Sequence, residues 1–124
     1  MALEGVALHH VNVTVPPDRE AAAKEFYAHV LGLAEIYKPD ASRSRGAWYQ
    51  LGAVQLHLSI EAAQPPSRRH VCYQVRDVEA AERHFRAAGV EILDDERPLP
   101  GVRRFFLRDP GGNRIEITEG ASEN

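Results

Sequence analysis

The sequence predicts an α+β fold of two βαβββ modules that together form a curved mixed sheet, and three observations predict it. A strand-like alternation, His10-Val11-Asn12-Val13-Thr14-Val15, returns sixty positions later as His70-Val71-Cys72-Tyr73-Gln74-Val75. Each copy leads into a segment of helical periodicity that stops at a glycine, Gly32 in the first and Gly89 in the second. Further strand-like runs follow each helix, so the same order of elements is written twice.

In the first copy, residues 6–61, the helix begins near Asp18 and turns Ala22, Phe26, Val30 and Leu31 inward. Strands are expected over Ala34 to Lys38, Gly46 to Leu51 and Val54 to Ile60, with a turn at Gly52-Ala53. The second copy, residues 70–120, has Asp77 as the expected N-cap of a helix that buries Val78, Ala81, Phe85 and Ala88. Its strands are expected over Val90 to Leu93, Arg103 to Arg108 and Arg114 to Glu119, the last two joined by the turn Asp109-Pro110-Gly111-Gly112-Asn113. Glu61 to Arg69, with Pro65-Pro66, reads as the linker. One module exposes a sheet it cannot cover alone, so the expectation is a single domain, residues 1–124, made of two modules.

Composition narrows the function. With 124 residues, 44% hydrophobic and 27% charged, the chain is long enough to bury a core without a staple. A net charge of -3, with no basic run longer than a pair, speaks against nucleic acid as partner. No apolar stretch is long enough to span a bilayer, and the N-terminus lacks a secretion signal. The lone Cys72 forms no internal disulfide, which fits a cytoplasmic location.

Alternation assigns the faces of four strands. Val11, Val13 and Val15, then Val54, Leu56, Leu58 and Ile60, then Val71, Tyr73 and Val75, then Ile115 and Ile117 face the helices. The opposite face collects His10, Asn12, Gln55, His57, His70, Cys72, Gln74 and Glu116. Under the repeat His10 matches His70 and His57 matches Glu116. A polar sheet face is ordinarily the solvated one, but that face recruits lysines, and neither Lys24 nor Lys38 lies on these strands. Imidazoles and a carboxylate at repeat-equivalent positions suit a first-row divalent cation, with open positions left for substrate. His57 alone could instead orient a ligand or move a proton. His9, His29 and His84 read as surface or packing residues, and Cys72 as a small buried thiol.

The paired modules, the opening His-Val-x-Val strand, Phe26 to Leu33 (Phe-Tyr-x-x-Val-Leu-Gly-Leu) and Asp109 to Ile117 (Asp-Pro-Gly-Gly-Asn-Arg-Ile-Glu-Ile) resemble the vicinal-oxygen-chelate superfamily of glyoxalases, bleomycin-resistance proteins and extradiol dioxygenases. The resemblance runs from about Leu8 to Thr118. It implies metal ligation by His10, His70 and Glu116, with His57 at a fourth position, and a homodimer in which each site draws on both chains. The reaction it implies is that of a metal-dependent lyase or isomerase on a small oxygenated metabolite. In that reading Zn, Fe, Mn or Ni would act as Lewis acid, Glu116 or His57 would move a proton, and Asn12, Gln55, Gln74 and Cys72 would contact substrate. An Fe(II) extradiol-type dioxygenase and a non-catalytic bleomycin-resistance-like binding protein are the alternatives. Residues Pro39 to Arg45 and Asp94 to Val102 are expected at the mouth of the site.

Overall fold

The computed structural model describes residues 2–39 and 45–120. The chain divides into two compact units, Met1–Ala63 and Gln64–Asn124. Both are α+β, with a four-stranded mixed sheet in the first and a three-stranded mixed sheet in the second.

In the first unit, β1 (His10–Val15) leads through a short 3-10 turn, Pro17–Arg19, into α1 (Glu20–Glu25). β2 (Ala34–Ile36), β3 (Ala47–Leu51) and β4 (Val54–Ile60) follow, in sheet order β1-β4-β3-β2. β1 lies parallel to β4, and the other pairs are antiparallel. After Glu25 the helix widens into a π turn over Phe26–Val30, where Leu31 N–H donates to the Phe26 carbonyl at 2.8 Å. The extra residue rotates the inward face. Ala23, Phe26, Tyr27 and Leu33 are therefore buried, whereas Ala22, Val30 and Leu31, expected inward, are half-buried.

Against this helix the sheet presents Val15, Tyr49, Leu56 and Leu58, all buried. Each such large apolar side chain contributes about 2 kcal/mol by leaving water. Gly46, at φ 75°, starts β3. Its N–H donates to Glu20 Oε2 at 2.7 Å, and a Cβ there would run into the Leu58 carbonyl, so the close approach of β3 to β4 depends on glycine.

The second unit repeats the plan with β5 (His70–Gln74), α2 (Val78–Ala87), β6 (Arg104–Arg108) and β7 (Arg114–Thr118), in sheet order β5-β7-β6. Asp77 caps α2 as expected, Oδ1 accepting from Ala80 N–H at 3.0 Å. Val78 and Phe85 are buried and Ala81 half-buried, but Ala88 lies past the last turn and is exposed. The strand expected over Val90 to Leu93 does not form; only Leu93 bridges to Phe106. Asp109 organises the β6–β7 turn: Oδ1 accepts from Gly111 N–H and Asn113 N–H, each at 2.9 Å, and Oδ2 from Asn113 Nδ2 at 2.8 Å.

The registers of the two sheets correspond. Asn12 faces His57 and His10 faces Gln55 in the first; Cys72 faces Glu116 and His70 faces Arg114 in the second. Among the described residues no helix is long and apolar enough to cross a membrane.

Candidate functional site

Each unit brings two of the four ligand-type residues together. In the first unit β4 runs between β1 and β3, so His57 has neighbours on both sides. Its ring lies between Trp48 and His10, with centroids 4.0 Å from each and interplanar angles of 1° and 15°. Although it stands on the face opposite the helix, His57 is only 7% exposed, because those two rings cover it. Gln55 Oε1 lies 2.8 Å from His57 Nε2, and an amide oxygen only accepts, so the proton sits on Nε2. Burial first, then the fields of His10, His9 and Lys38, lower the His57 pKa and keep the imidazole neutral.

His10 is more exposed and has a second partner. His9 Nδ1 lies 2.9 Å from His10 Nδ1, with the two rings edge-on at 5.1 Å. His9, expected to be an ordinary surface residue, thus fixes the His10 ring. Asn12 Oδ1 accepts from Ser59 Oγ at 2.7 Å, so these side chains occupy one another.

In the second unit His70 Nε2 stands 3.0 Å from Glu116 Oε1. His70 Nδ1 donates to the Arg68 carbonyl at 2.9 Å. That bond puts the proton of a neutral ring on Nδ1 and leaves a lone pair on Nε2, aimed at a carboxylate that is itself only an acceptor. Two lone pairs at 3.0 Å require a proton or a metal cation between or beside them. The separation also matches two neighbouring donors of one first-row cation, each bonded at ~2.1 Å. The donor set fits such an ion.

Glu116 is 9% exposed. Its Oε2 lies 3.6 Å from an Arg104 terminal nitrogen, and Arg104 grips Asp95 through Nε–Oδ2 at 2.9 Å and a second contact at 3.3 Å. The Arg104 bond holds the Asp95 carboxyl below the usual carboxylate range. Phe106 lies at the centre of this group: His70 meets it edge-on at 6.0 Å, and the guanidinium carbons of Arg104 and Arg114 stand 5.1 and 4.2 Å from its centroid. A cavity of about 690 Å³ opens here, walled by His70, Glu116, Phe106, Arg104 and the segment from Asp95 to Arg97.

Cys72 and Gln74 do not line that cavity. Gln74 Nε2 donates to the Glu119 carbonyl at 3.2 Å and packs against Gly120. Cys72 was expected buried but is exposed at the sheet edge; burial of its sulfur, and next the field of Glu116, push the thiol up to about 11. Of the expected mouth segments, residues 40–44 of Pro39 to Arg45 lie outside the described residues. His29 and His84 are exposed helix residues. Among the described residues of either unit, no three His, Cys, Asp or Glu side chains stand together as a group able to hold a metal. Each unit offers a pair.

Sequence reading missed Trp48, Phe106 and Arg104, whereas Asp95 to Arg97, within the expected mouth segment Asp94 to Val102, do line the cavity. Alternation could have found the first two. Trp48 alternates with buried Ala47 and Tyr49, and Phe106 is the register partner of Glu116 just as Trp48 is of His57.

Comparison with known proteins agrees with the fold and the motifs. The model of the Glyoxalase/Bleomycin resistance protein/Dioxygenase superfamily matches residues 7–117. A curated relative, "Glyoxylase I 4" of Arabidopsis thaliana, is 26% identical over 123 residues, covering 90% of this chain and 69% of its own length. A crystal structure of a glyoxalase family protein from Bacillus anthracis is 32% identical, with a TM-score of 0.82 over 95% of this chain and 98% of that one. Two more distant structures share the fold. Lactoylglutathione lyase from Agrobacterium tumefaciens is 22% identical, with a TM-score of 0.74 over 94% of this chain and 95% of that one. The fosfomycin resistance protein FosX from Listeria monocytogenes, in a structure with Mn(II), is 18% identical, with a TM-score of 0.78 over 98% of this chain and 96% of that one. With its repeated strand-helix-strands order, one strand shorter in the second unit, and its closing Asp-Pro-Gly-Gly-Asn turn, this chain belongs to the Glyoxalase/Bleomycin resistance protein/Dioxygenase superfamily.

Proposed function

We propose that this chain is a divalent-metal-dependent enzyme of the lyase or isomerase type that acts on the vicinal oxygens of a small metabolite. The donor set is His10, His57, His70 and Glu116. The observation that carries the reading is the contact of His70 Nε2 with Glu116 Oε1 at 3.0 Å, with the other ring nitrogen already committed to a carbonyl. When bound, the cation (Zn, Fe, Mn or Ni) supplies Lewis acidity toward negative charge that develops on a substrate oxygen.

The chain's own groups divide the remaining work. The Arg68 carbonyl fixes the tautomer of His70, as an outer partner of a ligating histidine does. Arg104, itself anchored on Asp95, holds the Glu116 carboxyl group in place beside His70, where it can ligate or take a proton. Gln55 orients His57, and Trp48 keeps water from its ring face, so a neutral imidazole is available as donor or proton shuttle.

A pair of donors is too few for such an ion, which ordinarily has three or more protein ligands. The two units therefore act as complementary modules of one domain. In this reading the His10–His57 pair of one chain completes the His70–Glu116 pair of a second chain in a homodimer. Mixing His10→Ala and Glu116→Ala proteins tests this: shared sites restore one intact metal site per heterodimer, and absence of recovery removes the shared-site arrangement. Oxygen uptake with catechols by the Fe(II)-loaded protein would move the assignment to a dioxygenase.

A further inference from the structure

The cavity beside Glu116 carries more positive charge than its metal-ligating role needs. Four guanidiniums line it, Arg68, Arg97, Arg104 and Arg114, against three carboxylates, on a chain whose net charge is -3. Arg104 is already engaged by Asp95 and by the Arg97 carbonyl. Glu116 is engaged by His70 and Arg104. Among the described residues neither Arg68 nor Arg114 makes an ion pair. Asp95 feels the field of Arg114 but accepts side-chain hydrogen bonds from Arg104, and Glu96 is the remaining carboxylate of the cavity wall.

Arg114 is also held in place. Its guanidinium carbon lies 4.2 Å from the Phe106 centroid, so the aromatic ring occupies one face of the cation. Stacking uses the face and leaves the in-plane N–H groups open, the edge that meets a carboxylate or phosphate in a two-pronged contact. A guanidinium already oriented by packing loses less freedom on binding than a mobile one. Arg114 precedes Ile115 on β7, and its register partner is His70, so this fork lies beside the His70–Glu116 pair.

We infer that the Phe106-stacked Arg114, with Arg68, forms an oxyanion subsite, so that the substrate carries a carboxylate or phosphate group beside the oxygens that meet the metal. The inference deepens the functional reading above, on which it rests for the word substrate. Its test needs no metal.

The full chain, without added metal, is titrated with inorganic phosphate and with acetate while arginine Nε–H signals are followed by NMR. Saturable binding is expected. R114Q and R68Q weaken it, R114Q about tenfold, while R83Q, which removes a charge from α2 outside the cavity, leaves it unchanged. Tighter binding of phosphate assigns a tetrahedral dianion, and tighter binding of acetate assigns a carboxylate. If R114Q does not fold, R114K and R68Q decide, since R114K keeps the charge and loses the fork; both must weaken binding. No saturable binding, or equal weakening in R83Q and R114Q, overturns the subsite. Because metal is absent, that failure is separate from a failure of the metal site.

Discussion

Trp48 and Phe106 hold the same position in the two sheets: Trp48 is the cross-strand partner of His57, and Phe106 is the cross-strand partner of Glu116. Trp48 stacks on the ligand-type side chain opposite it, whereas Phe106 meets His70, the neighbour of its own partner, edge-on. Trp48 is the only tryptophan, so its emission reports on the His57 ring stacked 4.0 Å away. Replacing His57 by alanine exposes one face of the indole to water and should shift the emission to the red. An unchanged spectrum would mean that the stack does not exist in solution.

Asp109 accepts three hydrogen bonds within its own turn and is 4% exposed. Asp109→Ala leaves those half-buried donors without their acceptor and should cost about 2 kcal/mol of stability. Urea unfolding measures it, and a loss under about 1 kcal/mol would contradict the assigned role of the turn.

Tyr73 is buried, and among the described residues its hydroxyl has no hydrogen-bond partner. An unpaired buried hydroxyl weakens a fold. Tyr73→Phe should therefore leave stability within about 1 kcal/mol of the parent or raise it, whereas most core substitutions lower it.

Burial first, and then the nearby charge of Glu35, push the Tyr49 hydroxyl up to about 12. An unfolded tyrosine ionises near pH 10. Above pH 10 the unfolded chain therefore releases a proton that the folded chain keeps, and stability falls as pH rises from 10 toward 12. The loss should reach about 1 kcal/mol at pH 11. Tyr49→Phe should flatten that slope between pH 9 and pH 11, leaving the part due to Tyr73, whose hydroxyl burial also raises.

The Cys72 thiol, raised to about 11, is almost entirely protonated at neutral pH despite its exposure. Alkylation by iodoacetamide at pH 7.5 should be slower than for an unperturbed thiol. Glu116→Gln removes the neighbouring negative charge and should speed alkylation by a small factor only, because burial is the larger cause. A large acceleration would reverse that order.

Much of this fold was legible because its signals are local. Asp77 capped its helix, Asp109 closed its turn, and the alternation around His10, His57, His70 and Glu116 put all four on the face opposite the helices. The run Val90 to Leu93 failed for lack of a partner: only Leu93 reaches β6, and an isolated apolar run carries no pairing information. The π turn at Phe26 arises from tertiary packing, which periodicity does not encode, so Tyr27 displaced Leu31 from the core. Within the site, alternation showed the faces but not the contacts. The Arg104–Asp95 clamp joins β6 to a segment without regular structure, and the His9–His10 contact joins two adjacent residues, which strict alternation would point to opposite faces.

The central claim is that His70 and Glu116 belong to one metal site. Calorimetric titration of the purified full chain with Zn²⁺ and Mn²⁺ at pH 7.5 tests it directly. The account predicts one saturable site per chain, with affinity reduced at least a hundredfold in both His70→Ala and Glu116→Ala. A chain that takes up no divalent cation, or variants that bind as tightly as the parent, would contradict it.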